Sequence, residues 1–318
     1  MKGPGPYEER DARASRLAGE RPHAAEMLGL YRRVLSAQRP RYERVAASRW
    51  LRRSGGSPDA LPFGKLVRPF RAYASEVASE APDALAAVGE AVADAPSDAL
   101  EELLERTAGL EDLDEVAGEL GCEVLPLVFY ARGFLQPVAE GLAARAAAGN
   151  GGGNGRPRAG AGSRLPLVGN GGPGAGAGGG NGRSHADVGV AEEAADEGPA
   201  ACPRCGWPPQ VALLRDEPDA KGRRLLVCGL CATVWPFPRL RCPSCGEADS
   251  EKLLFHGSEG EPYIQVAECA SCRAYLKTVD LREQGSAVPL VEDLASPELD
   301  VWADEHGLWK ISRNLLGM

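Results

Sequence analysis

The sequence predicts an α+β chain: an all-α helical N-terminal domain followed by two tandem small β modules. Three features lead to this fold class. Apolar residues in the first part of the chain repeat at helical spacing, a glycine-rich segment follows, and eight of the nine cysteines cluster after it. We therefore divide the chain into a helical domain (1–147), a Gly-rich flexible linker (148–200), a first four-cysteine module (201–240) and a second module with a C-terminal tail (241–318).

Two early segments carry the helical pattern. The positions Met27, Leu28, Tyr31, Val34 and Leu35 lie on one face of a helix. In "PSDALEELLERTAGL" we expect Ser97 to be the N-cap residue. The apolar stripe of this second helix then consists of Leu100, Leu103 and Leu104.

Residues 123–147 predict a third strong helix, with Pro126 near its start and Gly149 just past its end. Pro137 should kink or divide this helix, because proline removes a backbone hydrogen bond. We expect further prolines to separate the remaining helices, namely Pro40, Pro62, Pro69 and Pro82. Cys122, just ahead of the third helix, is interpreted as a small buried apolar residue.

The linker is defined by its composition. Residues 149–182 contain 16 glycines, and such a stretch buries too little apolar surface to offset its conformational entropy. After residue 200 the chain changes to short apolar runs broken by turn residues, which predict β-ribbons. These runs are "VALL", "RRLLVC", "KLLFH" and "YIQVAEC".

The eight clustered cysteines form four CxxC pairs in a tandem repeat. In each half a CPxCG pair is followed by a segment that predicts two strands, and then by a second CxxC pair. Two CxxC pairs at this separation strongly indicate a four-thiolate tetrahedral metal site. We predict one site from Cys202, Cys205, Cys228 and Cys231, and a second from Cys242, Cys245, Cys269 and Cys272.

The CxxC turns differ in the residue that follows them. Gly206 and Gly246 can adopt positive φ, which lets backbone N–H groups approach the thiolates. The other two pairs are followed by Ala232 and Arg273, so we expect the two turns of each site to be inequivalent.

The sulfur ligands do not determine which metal is bound, since all-sulfur tetrahedral sites hold zinc or iron. Zinc is the common case, whereas iron would make each half rubredoxin-like. A dithiol oxidoreductase is disfavoured, because it needs one reactive CxxC in a βαβ context. We expect His256 to be an ordinary packing or surface residue, and Arg239 and Arg241 to balance the charge of the thiolates.

Several functional classes are disfavoured. The net charge is −9 and the pI about 5.2, which argues against wrapping nucleic acid by bulk electrostatics. We find no secretory signal and no apolar run near the roughly 20 residues of a membrane span. A reduced, cytoplasmic setting follows as an expectation. Because nucleotide-binding and catalytic motifs are also absent from the sequence, we expect a protein that is not an enzyme.

Several stretches resemble the FdhE family, the accessory proteins needed to form active formate dehydrogenase. They include "CPRCGWPPQ", "LLVCGLCATVWPFPRLRCPSCG", "ECASCRAYLKTVD", the tail "VEDLASPELDVWADEHGLWKISRNLLG" and, in the helical part, "RASRLAGERPHAAEMLGLYRRVLSAQ" and "FLQPVAEGLA". The resemblance covers most of the chain apart from the linker, whose long Gly-rich insert departs from the family pattern and leaves the usual domain spacing open.

The resemblance implies a cytoplasmic protein with two rubredoxin-like (zinc-ribbon-like) modules that bind iron, one ion at each set of four cysteines. It also implies binding to the catalytic subunit of a molybdenum- or tungsten-dependent formate dehydrogenase during assembly. The acidic charge and the short apolar runs predict no nucleic-acid partner and no membrane insertion. The oligomeric state stays open. The alternatives are a rubredoxin-like electron carrier and a zinc-ribbon nucleic-acid-binding protein.

The C-terminal tail alternates apolar and acidic residues. We expect it to pack against the metal modules, in preference to forming a docking surface. The apolar residues that predict this are Leu290, Val291, Leu294, Leu299, Val301 and Trp302.

Overall fold

The computed structural model describes residues 4–47, 61–149, 198–258 and 260–318. Most of the predicted linker, including "LPLVG", lies outside the described residues. The described chain before residue 150 is helical, as predicted. Its helices are α1 (Pro6–Glu20), α2 (Ala25–Ala47), α3 (Phe63–Ala78), α4 (Asp83–Asp94), α5 (Ser97–Gly109), α6 (Asp114–Leu120) and α7 (Val124–Gly149).

The described chain after residue 197 is a β-sheet with two short helices. Its strands are β1 (Pro209–Glu217), β2 (Ala220–Cys228), β3 (Val234–Pro236), β4 (Leu253–Ser258), β5 (Glu261–Cys269), β6 (Ala274–Asp280) and β7 (Trp309–Lys310). The helices α8 (Pro289–Ala295) and α9 (Pro297–Glu305) precede β7. All four apolar runs predicted as strands contribute to this sheet.

Helix α7 is the centre of the helical part, since every residue from 129 to 143 is buried. Most of these residues are apolar, and a helix that is apolar around most of its circumference is stable only when other elements surround it. The helices around α7 contribute their predicted apolar stripes: Leu28, Val34, Leu100, Leu103 and Leu104 are fully buried. Met27 is only partly buried, at the edge of the same core.

The prolines do not divide the helices as the sequence suggested. Pro40 lies inside α2, Pro69 inside α3 and Pro137 inside α7, and each of these helices continues through its proline. Pro137 was expected to kink or divide its helix, and the division is wrong. An interior proline costs about 3 kcal/mol, and the surrounding core holds the helix together against that cost. Pro62 and Pro82 do mark boundaries, as the N-cap residues of α3 and α4.

Helix α5 also begins differently from the prediction. Pro96 is its N-cap residue, and Ser97 is the first helical residue without a capping hydrogen bond. The Ser97 hydroxyl instead accepts a hydrogen bond from Arg71 Nη2 at 3.2 Å. The side chain that was predicted to cap α5 therefore binds Arg71 of α3.

The two cysteine modules share one sheet. Within the described residues its strand order is β3-β2-β1-β6-β5-β4, with β7 beside β6. The β1–β2 and β4–β5 hairpins are the pairs of strands that were predicted between the CxxC pairs. Strand β1 pairs with β6 in parallel, aligning Val211 with Lys277 and Leu213 with Val279. This pairing joins the two halves of the repeat.

The sheet packs on both faces near its middle. Ala212, Leu226 and Leu276 join the core of the helical part. On the first half of the sheet, Leu290 of α8 packs with Val211, Leu213 and Val279, among others. Over the second half, Leu299 and Ala303 of α9 pack with Ile264, Val266 and Tyr275.

The predicted packing of the tail against the metal modules is confirmed for its buried residues. Leu290, Val291, Leu294 and Leu299 are buried, whereas Val301 is 55% exposed. Buried polar contacts also join the tail to α1 and the residue after it: Arg13 Nε lies 2.6 Å from Glu292 Oε1, and Arg21 donates to the Ala295 carbonyl at 2.8 Å. None of the described helices has the length and apolarity to cross a membrane.

Candidate metal centres

The first centre, defined by Cys202, Cys205, Cys228 and Cys231, lies where the β1–β2 hairpin meets the helices. Cys202 and Cys205 precede β1, Cys228 ends β2, and Cys231 follows one turn later. The Sγ atoms of Cys202 and Cys231 are 3.6 Å apart, and those of Cys205 and Cys228 are 3.3 Å apart. All four cysteines are buried.

The second centre, defined by Cys242, Cys245, Cys269 and Cys272, repeats this arrangement on the β4–β5 hairpin. The Sγ atoms of Cys242 and Cys272 are 3.8 Å apart, and those of Cys245 and Cys269 are 3.6 Å apart. Here Cys242 and Cys269 are buried, Cys272 is half-buried and Cys245 is exposed. The structure thus brings together the four cysteines of each predicted set.

Both groups have dimensions that fit a tetrahedral four-sulfur site. Within each group all Sγ atoms lie within 4.8 Å of one another. Metal–sulfur bonds of about 2.3 Å at tetrahedral angles place neighbouring sulfurs about 3.8 Å apart. The measured separations of 3.3 to 3.8 Å approach this value, so each group can hold one ion.

The four CxxC turns share a backbone conformation that their sequences do not suggest. Gly206 and Gly246 have φ of 77° and 81°, as expected, but Ala232 and Arg273 also adopt positive φ, at 52° and 60°. The predicted inequivalence of the turns therefore does not extend to the backbone. A non-glycine residue in this region is strained by about 1–2 kcal/mol.

The turns direct backbone N–H groups at sulfur. The N–H groups of Leu230 and Cys231 donate to Cys228 Sγ at 3.3 and 3.4 Å. In the second centre the N–H of Ser244 donates to Cys242 Sγ at 3.4 Å. Such bonds stabilise the thiolate form that a metal ion requires.

Sulfur–sulfur hydrogen bonds favour the thiolate form of some of these cysteines and disfavour it in others. Hydrogen bonding from Cys205 lowers the pKa of Cys202. In the second centre, hydrogen bonding from Cys272 lowers the pKa of Cys242 to about 5. The same hydrogen bonds raise the pKa of the partners Cys205 and Cys272, so each group contains thiols of unequal acidity.

Arg132 of α7 is the buried cation at the first centre. Its Nη2 donates to the Gly229 carbonyl at 2.8 Å and to Gln210 Oε1 at 2.7 Å. Burial lowers the pKa of Arg132 to about 10, against the opposing charge of Cys228. Because a divalent ion with four thiolates carries a net charge of −2, this guanidinium is suited to balance it. Sequence reasoning missed Arg132, although an arginine within the apolar run "VFYARGFL" was a signal.

Arg224 of β2 has the corresponding place at the second centre. It is 6% exposed, and it donates to the Arg241 carbonyl at 2.9 Å. Burial lowers the pKa of Arg224 to about 10, and the charge of Cys242 opposes this. The predicted counter-charges Arg239 and Arg241 line a pocket beside Cys242, but both are exposed. Arg224 itself was missed from the sequence.

A buried polar network continues from Arg132 into the tail. Gln210, which accepts from Arg132, donates to Asp293 Oδ2 at 2.9 Å. Lys310 of β7 donates to Asp293 Oδ1 at 2.7 Å. Lys277 of β6 donates to Asp300 Oδ2 at 2.6 Å. Buried charges of this kind are stable only when paired, so the network fixes α8, α9 and β7 on the sheet.

Residues outside the two centres have ordinary surroundings. His256 Nε2 lies 2.8 Å from Glu268 Oε2, and its ring packs on Trp302. This agrees with the expected packing role. Cys122 is half-buried rather than buried, and burial raises the pKa of its thiol. Among the described residues, both groups that could hold a metal consist of cysteines alone.

Comparisons with known proteins single out the cysteine region. The family model for the FdhE central domain matches residues 201–239, and that for the FdhE C-terminal domain matches residues 240–316. The chain is 41% identical over 116 residues to a "Protein FdhE homolog" of Aquifex aeolicus (strain VF5), covering 36% of this chain and 41% of that protein. A homologue of the same name from Pseudomonas aeruginosa is 35% identical over 139 residues, covering 42% of this chain and 45% of that protein.

The match thus spans less than half the length of these relatives. The crystal structure of the FdhE protein from Pseudomonas aeruginosa has the same fold, with a TM-score of 0.61. That likeness covers 99% of this chain and 97% of the other at 22% identity. Residues 201–316, which contain all eight paired cysteines, therefore match the FdhE central and C-terminal domains.

Proposed function

We propose that the chain is an accessory factor in the formation of active formate dehydrogenase, and that it binds the enzyme's catalytic subunit in the cytoplasm. The observation that carries the proposal is the match of residues 201–316 to the two FdhE domains. The resemblance of the helical segments to the same family supports it. The chain acts on its partner as a binding protein and does not turn over formate.

The chemistry of the two centres supports a non-catalytic role. Each group supplies four sulfur ligands, which complete a tetrahedral coordination sphere. Catalytic metal sites keep a position open for water or substrate, whereas four-thiolate sites are structural or electron-transferring. The eight cysteines are therefore proposed as ligands, and no residue is proposed as catalytic.

We propose iron as the metal, with two ions per chain, and zinc as the alternative. The same sulfur geometry accepts either ion. Elemental analysis of anaerobically purified protein separates the two. Tetrathiolate iron also gives visible charge-transfer bands, whereas zinc has a filled d shell and gives none. One ion per chain, or none, would contradict the proposed stoichiometry.

A deletion in the source organism tests the role. We expect the deletion strain to lose formate oxidation while still synthesising the catalytic subunit, and the restored gene to recover activity. The purified chain should capture the purified catalytic subunit and show no formate turnover alone. Full activity in a deletion strain that lacks a paralogue, or turnover by the chain alone, would overturn the proposal.

The exposure of Cys245 favours one second candidate, a rubredoxin-like electron carrier. A metal centre near the surface can exchange electrons with another protein. This role predicts rapid one-electron reduction by a rubredoxin reductase and no need for formate dehydrogenase. A chain that cycles quickly with such a reductase, but does not bind the catalytic subunit, would favour the carrier.

A further inference from the structure

A pocket lies beside the second centre, on a side of the sheet that α9 does not cover. Its lining residues include one of β2, four of the loop between β3 and β4, and two of β4. We call it the arginine pocket and define it by Arg224, Arg239, Arg241, Leu253 and Phe255. Cys242 and Cys269 of the second centre also line it.

The arginines give the pocket a positive charge in a chain whose net charge is −9. The side chains of Arg239 and Arg241 are exposed and make no hydrogen bond or ion pair within the described chain. Arg224 is 6% exposed, and its Nε is buried without a hydrogen-bond partner among the described residues. A buried donor without a partner is costly, so this site is suited to an incoming acceptor.

The acidic residue at the pocket does not neutralise these arginines. Glu268 is held by His256 at 2.8 Å and by Arg273 at 2.5 Å. The thiolates of the second centre offer a charge partner for Arg224, since burial lowers the pKa of Arg224 and the charge of Cys242 raises it. Arg239 and Arg241 remain exposed beside this centre. Balancing the charge of the thiolates does not require two further unpaired cations at the surface.

The rim of the pocket is apolar as well as positive. Phe255, which lines the pocket, is 47% exposed, and Leu240, between the two arginines in the chain, is 49% exposed. Large apolar side chains beside arginines are the composition found at the centres of protein interfaces. A ligand that satisfies this surface carries carboxylates together with apolar side chains.

We propose that the arginine pocket binds an acidic, apolar segment of the formate dehydrogenase catalytic subunit. This inference rests on the proposed function and assigns the surface that performs it. Carboxylates of the segment pair with Arg239 and Arg241, since guanidinium groups bind carboxylates in bidentate geometry. Its apolar side chains cover Leu240 and Phe255 beside the second centre.

The test measures binding of the purified, metal-loaded chain to the purified catalytic subunit by calorimetry at two salt concentrations. The first variant is Arg239→Glu/Arg241→Glu. The matched control is Arg16→Glu/Arg68→Glu, which reverses two exposed arginines on α1 and α3 and changes the net charge equally. A third variant, Phe255→Ala, probes the apolar wall without changing charge. Metal content and circular dichroism establish that each variant is folded.

We expect the pocket reversal to weaken binding about thirtyfold or more, as the loss of a central arginine does at other interfaces. Phe255→Ala should weaken it about tenfold, and the control should bind like the wild type. Added salt should weaken wild-type binding more than binding of the pocket reversal.

The outcomes separate the inference from the proposed function. Equal binding by the wild type, the pocket variants and the control overturns the arginine pocket but leaves the assembly role standing. Equal weakening by the pocket reversal and the control also overturns it, because net charge alone then explains the effect. A wild type that does not bind the catalytic subunit overturns both.

Discussion

The two metal centres have the same ligands and turns but different surroundings. Cys202, Cys205, Cys228 and Cys231 belong to the core that the helices form, and Trp207 beside them donates to the Ala108 carbonyl of α5 at 2.9 Å. At the second centre Cys245 is exposed and Cys272 half-buried. The difference arises from what covers each hairpin, since the local motif is the same.

This comparison suggests a division of roles between the centres. An ion at the first centre lies between the sheet and the helices, so its loss affects both. An ion at the second centre lies beside the exposed arginine pocket, where exchange or partner binding can reach it. The following predictions test this division, from the largest expected effect to the smallest.

The largest contrast is expected between Cys228→Ser and Cys245→Ser. Each variant should lose one metal ion, because a four-thiolate site needs all its ligands. Cys228→Ser should lower the free energy of unfolding by several kcal/mol more than Cys245→Ser, since metal binding contributes directly to folding and the first centre shares its core with the helices. Thermal unfolding followed by circular dichroism, with metal analysis, measures both. Equal destabilisation would contradict the division of roles.

Metal extraction should be biphasic. Removal of an ion from a buried site requires local opening, whose free energy is higher in the core than at an exposed edge. We expect a chelator to remove the ion of the second centre about tenfold faster, or more, which corresponds to about 1.4 kcal/mol. Absorbance of a colour-forming chelator follows the release, and Cys245→Ser should abolish the fast phase alone. A single phase that releases two ions would be the opposing result.

The buried arginines offer a third comparison. Arg132→Met leaves the Gly229 carbonyl and Gln210 without their donor and removes the cation at the first centre. Breaking a buried charge interaction costs about 3–5 kcal/mol. Arg224→Met is the matched variant and should cost less, because Arg224 contacts the exposed loop before Cys242. Urea unfolding of the metal-loaded proteins measures the difference, and a larger effect for Arg224→Met would reverse the comparison.

The smallest effect concerns the left-handed residues that follow the second CxxC pair of each centre. Ala232→Gly should stabilise the first centre by up to about 1 kcal/mol, because glycine relieves the positive φ. Arg273→Gly should give no gain, since it also removes the ion pair with Glu268. Chemical denaturation at saturating metal measures both changes. Destabilisation by Ala232→Gly would show that strain at this turn is negligible.

The sequence by itself determined the metal-binding groups and the hairpins between them. The spacing of Cys202, Cys205, Cys228 and Cys231 predicted their grouping, because two CxxC turns at the ends of a hairpin necessarily converge. The helical stripe of Leu100, Leu103 and Leu104 was also evident, since helical periodicity is a local property. These features depend on residues that are near one another in the chain.

Tertiary structure decided the features that depend on distant partners. The parallel pairing of β1 with β6 makes one sheet of two repeats, and the repeat alone does not specify it. Packing on all sides keeps α7 helical through Pro137. Arg132 reaches the first centre because α7 lies against that half of the sheet, whereas Cys245 in the other half is exposed. Burial and charge balance depend on which surfaces meet, so two copies of one motif became a buried centre and an exposed one.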